Sequence, residues 1–108
     1  MRYPVILALT ATFSLVACGK RQDAAAPAPM DAAVAFKNNC ASCHGLNGQG
    51  IAAYPKLAGN AADVIKTKLM DYKAGKQLGP QTAVMAQIAA RLSDSEIDAL
   101  ARYVASLK

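Results

Sequence analysis

The stretch Cys40-Ala41-Ser42-Cys43-His44 is the most informative segment of this chain of 108 residues. It places two cysteines three positions apart and a histidine directly after the second one. His44 is the only histidine in the sequence, and the chain holds three cysteines in all. Cysteines and a histidine at this spacing indicate a cofactor site, a metal site or a redox pair of thiols.

Three common explanations of this segment agree poorly with the rest of the sequence. A structural zinc ion needs four ligands, whereas Cys40, Cys43 and His44 supply three and no second cluster completes the set. A thioredoxin-like dithiol is expected beside a strand-helix-strand pattern, and no stretch here alternates as a strand does. A disulfide between Cys40 and Cys43 would close a very short loop and stabilise little.

The same spacing is that of covalent haem attachment. Two thiols three residues apart at the end of a helix can bond to the two vinyl-bearing carbons on one side of a porphyrin. The adjacent imidazole is then carried under the iron as an axial ligand. The segment therefore predicts one covalent haem c, attached to Cys40 and Cys43, with His44 on the iron.

The last helix is the clearest prediction of secondary structure. Ser93-Asp94-Ser95-Glu96 is a capping box, in which a serine and a glutamate satisfy backbone N–H groups at a helix start. Favourable interaction with the helix dipole and capping explain the acidic residues Asp94, Glu96 and Asp98. Apolar residues then follow on one helical face: Ile97, Leu100, Ala101, Val104 and Leu107.

Three further helices are expected in the same part of the chain. One begins with Asn60 as its N-cap, ends at Gly75 and buries Ile65, Leu69 and Tyr72. The others cover about residues 31–39 and 82–90. The sequence therefore predicts an all-α fold of three to five short helices.

The helical region, residues 31–108, is a small domain with a thin core. The chain is 54% hydrophobic, but much of that fraction is alanine. Domains below about 80 residues usually need a disulfide, a metal or another staple for stability. A haem packed among the helices would supply the missing core.

Residues 31–108 resemble the small bacterial monohaem class I cytochromes c. The resemblance rests first on Cys40-Ala41-Ser42-Cys43-His44-Gly45, which is highly specific. It rests also on Tyr54-Pro55-Lys56-Leu57-Ala58-Gly59 and on Met85 with the Ala-Gln-Ile-Ala that follows it. The helix that begins after Leu92 completes the order of motifs. The fold implied is short helices wrapped around one covalent haem, with the first and last helices crossed so that Phe36 lies near Tyr103.

The resemblance also implies roles for single residues. Cys40 and Cys43 would form the thioether bonds, and His44 would be the proximal ligand through Nε2. The carbonyl of Pro55 would accept a hydrogen bond from Nδ1 of His44, which fixes the tautomer and tunes the iron. Met85 would be the distal ligand, a soft thioether that favours ferrous iron and raises the reduction potential.

Met85 is preferred to the other methionines by its position in the chain. Met1 leaves with the predicted leader, and Met30 belongs to the predicted linker. Met70 lies inside a helix, where methionine is more often a filler of gaps in the core. Met85 follows residues 75–80 and is far enough along the chain to approach the opposite haem face.

The first 17 residues are interpreted as a signal peptide. Arg2 precedes an apolar stretch, residues 5–16, that is well short of the roughly 20 residues that span a bilayer. Leu15-Val16-Ala17-Cys18 resembles the lipobox of bacterial lipoproteins, in which the cysteine carries the lipid. The alternative is an ordinary cleaved signal with Cys18 near the junction, which would leave an unpaired thiol in an oxidising compartment.

Residues 18–30 follow as a lipidated cysteine and a flexible linker rich in alanine and proline. These features predict a protein anchored by lipid on the periplasmic side of a bacterial membrane. The net charge is +5, yet the basic residues form no single run, so a nucleic-acid partner is not expected.

The combined prediction is a carrier of single electrons and not an enzyme. Ligation by His and Met leaves no open position on the iron for a small molecule, so the iron is expected to exchange electrons. The expected partners are therefore redox proteins, in particular membrane-bound respiratory complexes. Two alternatives are a haem-based ligand sensor or small-molecule enzyme with a labile Met85, and a dedicated subunit of an oxidase or dehydrogenase.

Four lysines would form either a basic docking rim for an acidic partner or simply a solvated helix face: Lys66, Lys68, Lys73 and Lys76.

Overall fold

The computed structural model describes residues 29–108, which form five helices. They are α1 (Ala32–Asn39), α2 (Ala41–His44), α3 (Ala62–Lys73), α4 (Thr82–Ala89) and α5 (Asp94–Ser106). This part of the chain contains no strand, only one antiparallel bridge between Ile51 and Tyr54. The all-α prediction is confirmed, whereas the predictions for the leader and for Cys18 lie outside the described residues.

Helix α1 begins at a side-chain cap and packs against α5. Oδ1 of Asp31 accepts hydrogen bonds from the backbone N–H groups of Ala33 and Val34, at 3.0 and 3.2 Å. Phe36 is almost fully buried, and its ring centroid lies 5.5 Å from that of Tyr103 in α5. The predicted packing of the first helix against the last, with Phe36 near Tyr103, is therefore confirmed.

Helix α5 forms as the capping box predicts. Oγ of Ser93 accepts from the backbone N–H of Glu96, and Oε2 of Glu96 accepts from the backbone N–H of Ser93. The buried residues of this helix are Ile97, Leu100, Ala101 and Val104. Leu107, just beyond the helix end, is half-buried against the same cluster.

The start of α3 differs from the sequence prediction. Ala61 is the N-cap, and no side chain caps the helix. The side-chain amide of Asn60 instead donates to the backbone carbonyls of Lys56 and Leu57, at 3.3 and 2.9 Å. Asn60 is therefore wrong as an N-cap, because its side chain closes the preceding loop. Of the three apolar residues predicted inside, Ile65 is buried and the other two are half-buried.

The end of α3 agrees with the sequence prediction. Gly75 has a φ of 79° and donates its N–H to the carbonyl of Tyr72. The N–H of Lys76 reaches the carbonyl of Asp71 at 3.0 Å. These two bonds form a Schellman motif, which favours glycine because the residue adopts a left-handed conformation.

Ion pairs connect α3 to α5. Nζ of Lys66 lies 2.7 Å from Asp98, and Nζ of Lys73 lies 2.9 Å from Asp94. Asp98 also accepts from Arg102 one turn later in its own helix. Hydrogen bonds from Lys66 and Arg102 hold the pKa of Asp98 below its usual value. Asp94 and Asp98 thus bridge two helices, a role that dipole and capping arguments alone did not include.

None of the helices in residues 29–108 is long and apolar enough to cross a bilayer. Met30, which the sequence assigns to the linker, packs against the cluster that contains Phe36 and Leu100.

Candidate haem site

An apolar cavity lies among α2, the loop that follows it, α3, α4 and α5. Aliphatic and aromatic side chains form most of its surface, together with a smaller number of polar ones. The lining residues are Asn39, Cys40, Cys43, His44, Tyr54, Pro55, Lys56, Leu57, Asn60, Ile65, Lys68, Leu69, Tyr72, Gln81, Val84, Met85, Ile88, Leu92, Leu100 and Val104. Every residue that the sequence assigned to the cofactor lines this one cavity.

The short helix α2 brings the two cysteines and the histidine to the cavity. Cys40 ends α1, and its carbonyl accepts from the backbone N–H groups of Cys43 and His44, at 3.2 and 2.9 Å. This single turn fixes the spacing of the three side chains. The two thiols are not bonded to each other.

The thiol chemistry does not resemble that of a reactive dithiol. Burial, together with the smaller effect of the charge of Cys43, raises the pKa of the Cys40 thiol to about 11. Redox-active thiols instead have a lowered pKa, because the thiolate is the nucleophile. Within residues 29–108, no three His, Cys, Asp or Glu side chains form a group that could hold a metal ion by themselves.

The imidazole of His44 is buried and has a fixed orientation. Its Nδ1 lies 2.8 Å from the carbonyl oxygen of Pro55. A carbonyl oxygen only accepts hydrogen bonds, so Nδ1 carries the proton and Nε2 keeps a lone pair for a metal. The ring edge of Tyr54 contacts the imidazole, with a centroid distance of 6.1 Å.

The loop after α2 folds back through backbone hydrogen bonds and so delivers Pro55. The N–H of Gly50 donates to the carbonyl of His44 at 2.7 Å. The carbonyl of Gly48 accepts from the N–H groups of Leu57 and Ala58. Gly50 has a φ of 83°, and a Cβ there would lie 2.8 Å from the backbone nitrogen of Lys56, so only glycine fits.

Met85 reaches the cavity from α4, a different element from the one that carries His44. It is half-buried, and its neighbours Val84 and Ile88 line the same wall. Met70 is half-buried on α3 and does not line the cavity.

The structure adds residues to the site that sequence reasoning missed. Tyr54 belongs to the motif that carries the resemblance, yet nothing in that motif indicated its contact with His44. Lys56 also lines the cavity, as does Lys68, which the sequence suggested only for a basic rim. Of the four lysines considered for a basic rim, Lys66 and Lys73 pair with α5, and Lys76 pairs with Asp71.

This donor set fits a haem. The cavity offers two thiols, an imidazole nitrogen with a lone pair and a thioether, all within apolar walls. In residues 29–108 no buried side-chain nitrogen or oxygen lacks a hydrogen-bond partner, so no polar group there demands a different ligand.

The model of the protein family described as Cytochrome c matches residues 30–108. The chain belongs to the cytochrome c family. As a cytochrome c it carries covalently attached haem c and transfers electrons, so it is an electron carrier and not an enzyme. The resemblance drawn from the sequence and the fold it implied are both confirmed.

Two similar cytochromes match over most of their length. Cytochrome c-554(547) of Halothiobacillus neapolitanus is 44% identical over 81 residues, which is 68% of this chain and 89% of that protein. Cytochrome c-554(548) of Halomonas halodenitrificans is 38% identical over 68 residues, 62% of this chain and 82% of that protein.

A third relative is longer than this chain. The thiosulfate dehydrogenase electron acceptor of Stutzerimonas stutzeri is 44% identical over 64 residues. The match covers 57% of this chain and 28% of that protein.

Proposed function

We propose that the chain carries single electrons through a haem held by Cys40, Cys43, His44 and Met85. The observation that carries this proposal is that one apolar cavity collects all four side chains. Cys40 and Cys43 would form the thioether bonds, while Nε2 of His44 and the sulfur of Met85 would ligate the iron. The bound haem supplies an iron that alternates between the ferric and ferrous states.

Groups of the protein around the cavity would set the reduction potential of that iron. The carbonyl of Pro55 fixes the tautomer of His44 and increases its basicity as a ligand. The thioether of Met85 favours the ferrous state and so raises the reduction potential. The apolar walls exclude water from the site, which also tunes the potential. If His44 and Met85 both bind it, the iron would have no open position, which would suit electron transfer better than binding of small molecules.

The proposed docking surface differs from the four lysines first considered. Lys66, Lys73 and Lys76 are engaged in ion pairs. Lys56 and Lys68 line the cavity and make no ion pair within residues 29–108. These two cations would meet an acidic surface on a redox partner such as a membrane-bound respiratory complex.

The first 30 residues would place this carrier beside a membrane. Removal of residues 1–17 would leave Cys18 as a lipidated N-terminus on the periplasmic side of a bacterial membrane. The short apolar stretch and the lipobox-like Leu15-Val16-Ala17-Cys18 support this proposal.

A second candidate is a dedicated electron acceptor for one dehydrogenase. Two relatives bear the name thiosulfate dehydrogenase electron acceptor, and that of Thiomonas intermedia is 37% identical over 78% of this chain. The match covers only 38% of that protein, so a shared partner is a weaker proposal than electron transfer itself. Co-purification with a single dehydrogenase would favour this candidate.

Absorption spectra and the intact mass of the protein purified from membranes test the main proposal together. We expect a low-spin ferric spectrum with a methionine-to-iron charge-transfer band, and a mass that includes one haem and the lipid on a chain lacking 17 residues. A high-spin ferric spectrum would contradict His and Met ligation and favour the ligand sensor.

Replacement of Cys18 tests the tether separately. Cys18→Ser removes the acceptor for the lipid, so we expect the haem protein to move from the membrane to the soluble fraction. Gly19→Ser, at the next position, is the matched control and should stay with the membrane. Unchanged membrane association of Cys18→Ser would refute the lipid anchor.

A further inference from the structure

Thr82 occupies an unusual position at the start of α4. It is the first residue of the helix, and only 3% of its surface is exposed. Met85 follows three residues later, which is almost one turn along the same helix. A buried polar residue this close to a proposed ligand needs a physical explanation.

The hydroxyl of Thr82 makes three hydrogen bonds to one short segment. It accepts from the N–H groups of Leu78 and Gly79, at 2.9 and 3.0 Å, and donates to the carbonyl of Gly79 at 2.7 Å. One donor and two acceptor positions are the full capacity of a hydroxyl. The backbone N–H of Thr82 adds a fourth bond to the same carbonyl.

Helix α4 has few other attachments at this end. Its N-cap residue, Gln81, makes no side-chain capping bond. Within residues 29–108 the helix packs substantially against α3 alone. The bonds of Thr82 therefore join the start of α4 to the segment that arrives from α3, and they set where the first turn of α4 lies.

We propose that Thr82 is a positioning residue that keeps Met85 at the cavity. This inference rests on the proposed ligation of iron by Met85. The hydroxyl restrains residues 78–82, this segment restrains the first turn of α4, and that turn holds the thioether beside the site. Without the hydroxyl, Met85 leaves the iron more easily and an external ligand competes better.

The test measures imidazole binding to the ferric holoprotein, because imidazole binds only when Met85 is displaced. Thr82→Val keeps the shape of the side chain and removes the hydroxyl. We expect imidazole affinity to rise roughly fivefold, since the lost bonds contribute about 1 kcal/mol and 1.4 kcal/mol is a factor of ten. Thr82→Ser keeps the hydroxyl and should bind imidazole as the unmodified protein does.

Two controls separate this role from a general loss of stability. Asp31→Ala removes the cap of α1, away from α4, and should lower stability without changing imidazole affinity. Met85→Ala should abolish the methionine-to-iron band.

Each outcome has a distinct meaning. If Met85→Ala lacks the band while Thr82→Val binds imidazole as the unmodified protein does, the positioning role is wrong and the proposed ligation stands. If Met85→Ala retains the band, both proposals fail. A comparable rise in affinity in Asp31→Ala would reduce Thr82 to a stability effect and overturn the inference.

Discussion

The two walls of the cavity are held in different ways. The His44 wall is fixed by hydrogen bonds within one loop, from Gly50 to the histidine carbonyl and from Nδ1 to Pro55. The Met85 wall is a separate helix that rests on α3 and is joined to the preceding segment through Thr82. The local network restrains the proposed ligand His44 directly, whereas the position of Met85 depends on how α4 packs against α3 and on the bonds of Thr82.

Removal of the imidazole is the most severe test of the first wall. His44→Ala takes away the only histidine, so we expect no low-spin haem protein in the absorption spectrum. Pro55→Ala is the matched control: Pro55 acts through its backbone carbonyl, and low-spin haem should persist. A low-spin product from His44→Ala would contradict the assignment of the ligand.

Removal of the thioether tests the second wall with a smaller effect. Met85→Ala should keep its haem, become high-spin in the ferric state and have a lower reduction potential, because an iron position opens. Met70→Ala truncates a methionine that does not line the cavity, and its spectrum should not change. The opposite result for these two variants would transfer the ligand role to Met70.

The ion pairs between α3 and α5 give a pH-dependent test that should leave both walls in place. The pKa of Asp98 is lowered in the fold, so its ionised form stabilises the protein fully above the unfolded pKa of about 3.9. This contribution is lost as pH falls through the lower folded pKa. We expect Asp98→Asn to lower the Tm at pH 7 and to match the unmodified protein in strong acid.

The control for this prediction is Asp63→Asn on α3, since Asp63 makes no ion pair within residues 29–108. It should change the Tm less. If the Tm of Asp98→Asn differs from that of the unmodified protein by the same amount at every pH, the ion pairs are excluded as the cause.

The smallest expected change in stability comes from a substitution in the turn that leads to Pro55. Ala52 has a φ of 50°, which disfavours a side chain, and the turn is closed by two hydrogen bonds between Ile51 and Tyr54. Ala52→Gly relieves this strain but adds entropy to the unfolded chain, so we expect a net gain of about 0.5 kcal/mol in denaturant unfolding. Ala53→Gly lacks the strain and should destabilise; a gain there would refute the explanation.

The sequence predicted the local parts of the structure well. The capping box at Ser93, the apolar face of α5 and the glycine that ends α3 are each short patterns whose partners lie within a few residues. The group at Cys40, Cys43 and His44 belongs to the same class, because one turn of helix fixes its spacing. Such features depend on local backbone geometry, which a sequence pattern reports directly.

The parts that escaped prediction involve contacts between distant residues or competition for one side chain. Asn60 has the residue type of an N-cap, but the carbonyls of the preceding loop bind its amide instead. The pairing of Lys66 with Asp98 depends on how α3 packs against α5. Thr82 lies two residues after the pair Gly79-Pro80, and a threonine beside such a turn can bond to nearby backbone groups, which was the available signal.

The contact between Phe36 and Tyr103 has a consequence for the order of folding. Residues 40–93 separate α1 from α5, so the first helix of the domain finds its partner only after the last helix has been synthesised. A growing chain must first meet the loop-closure cost of this distant contact, which slows folding on the ribosome. Leu100 and Val104 of α5 also line the cavity, so an unfinished chain lacks one side of its haem site until the last helix is in place.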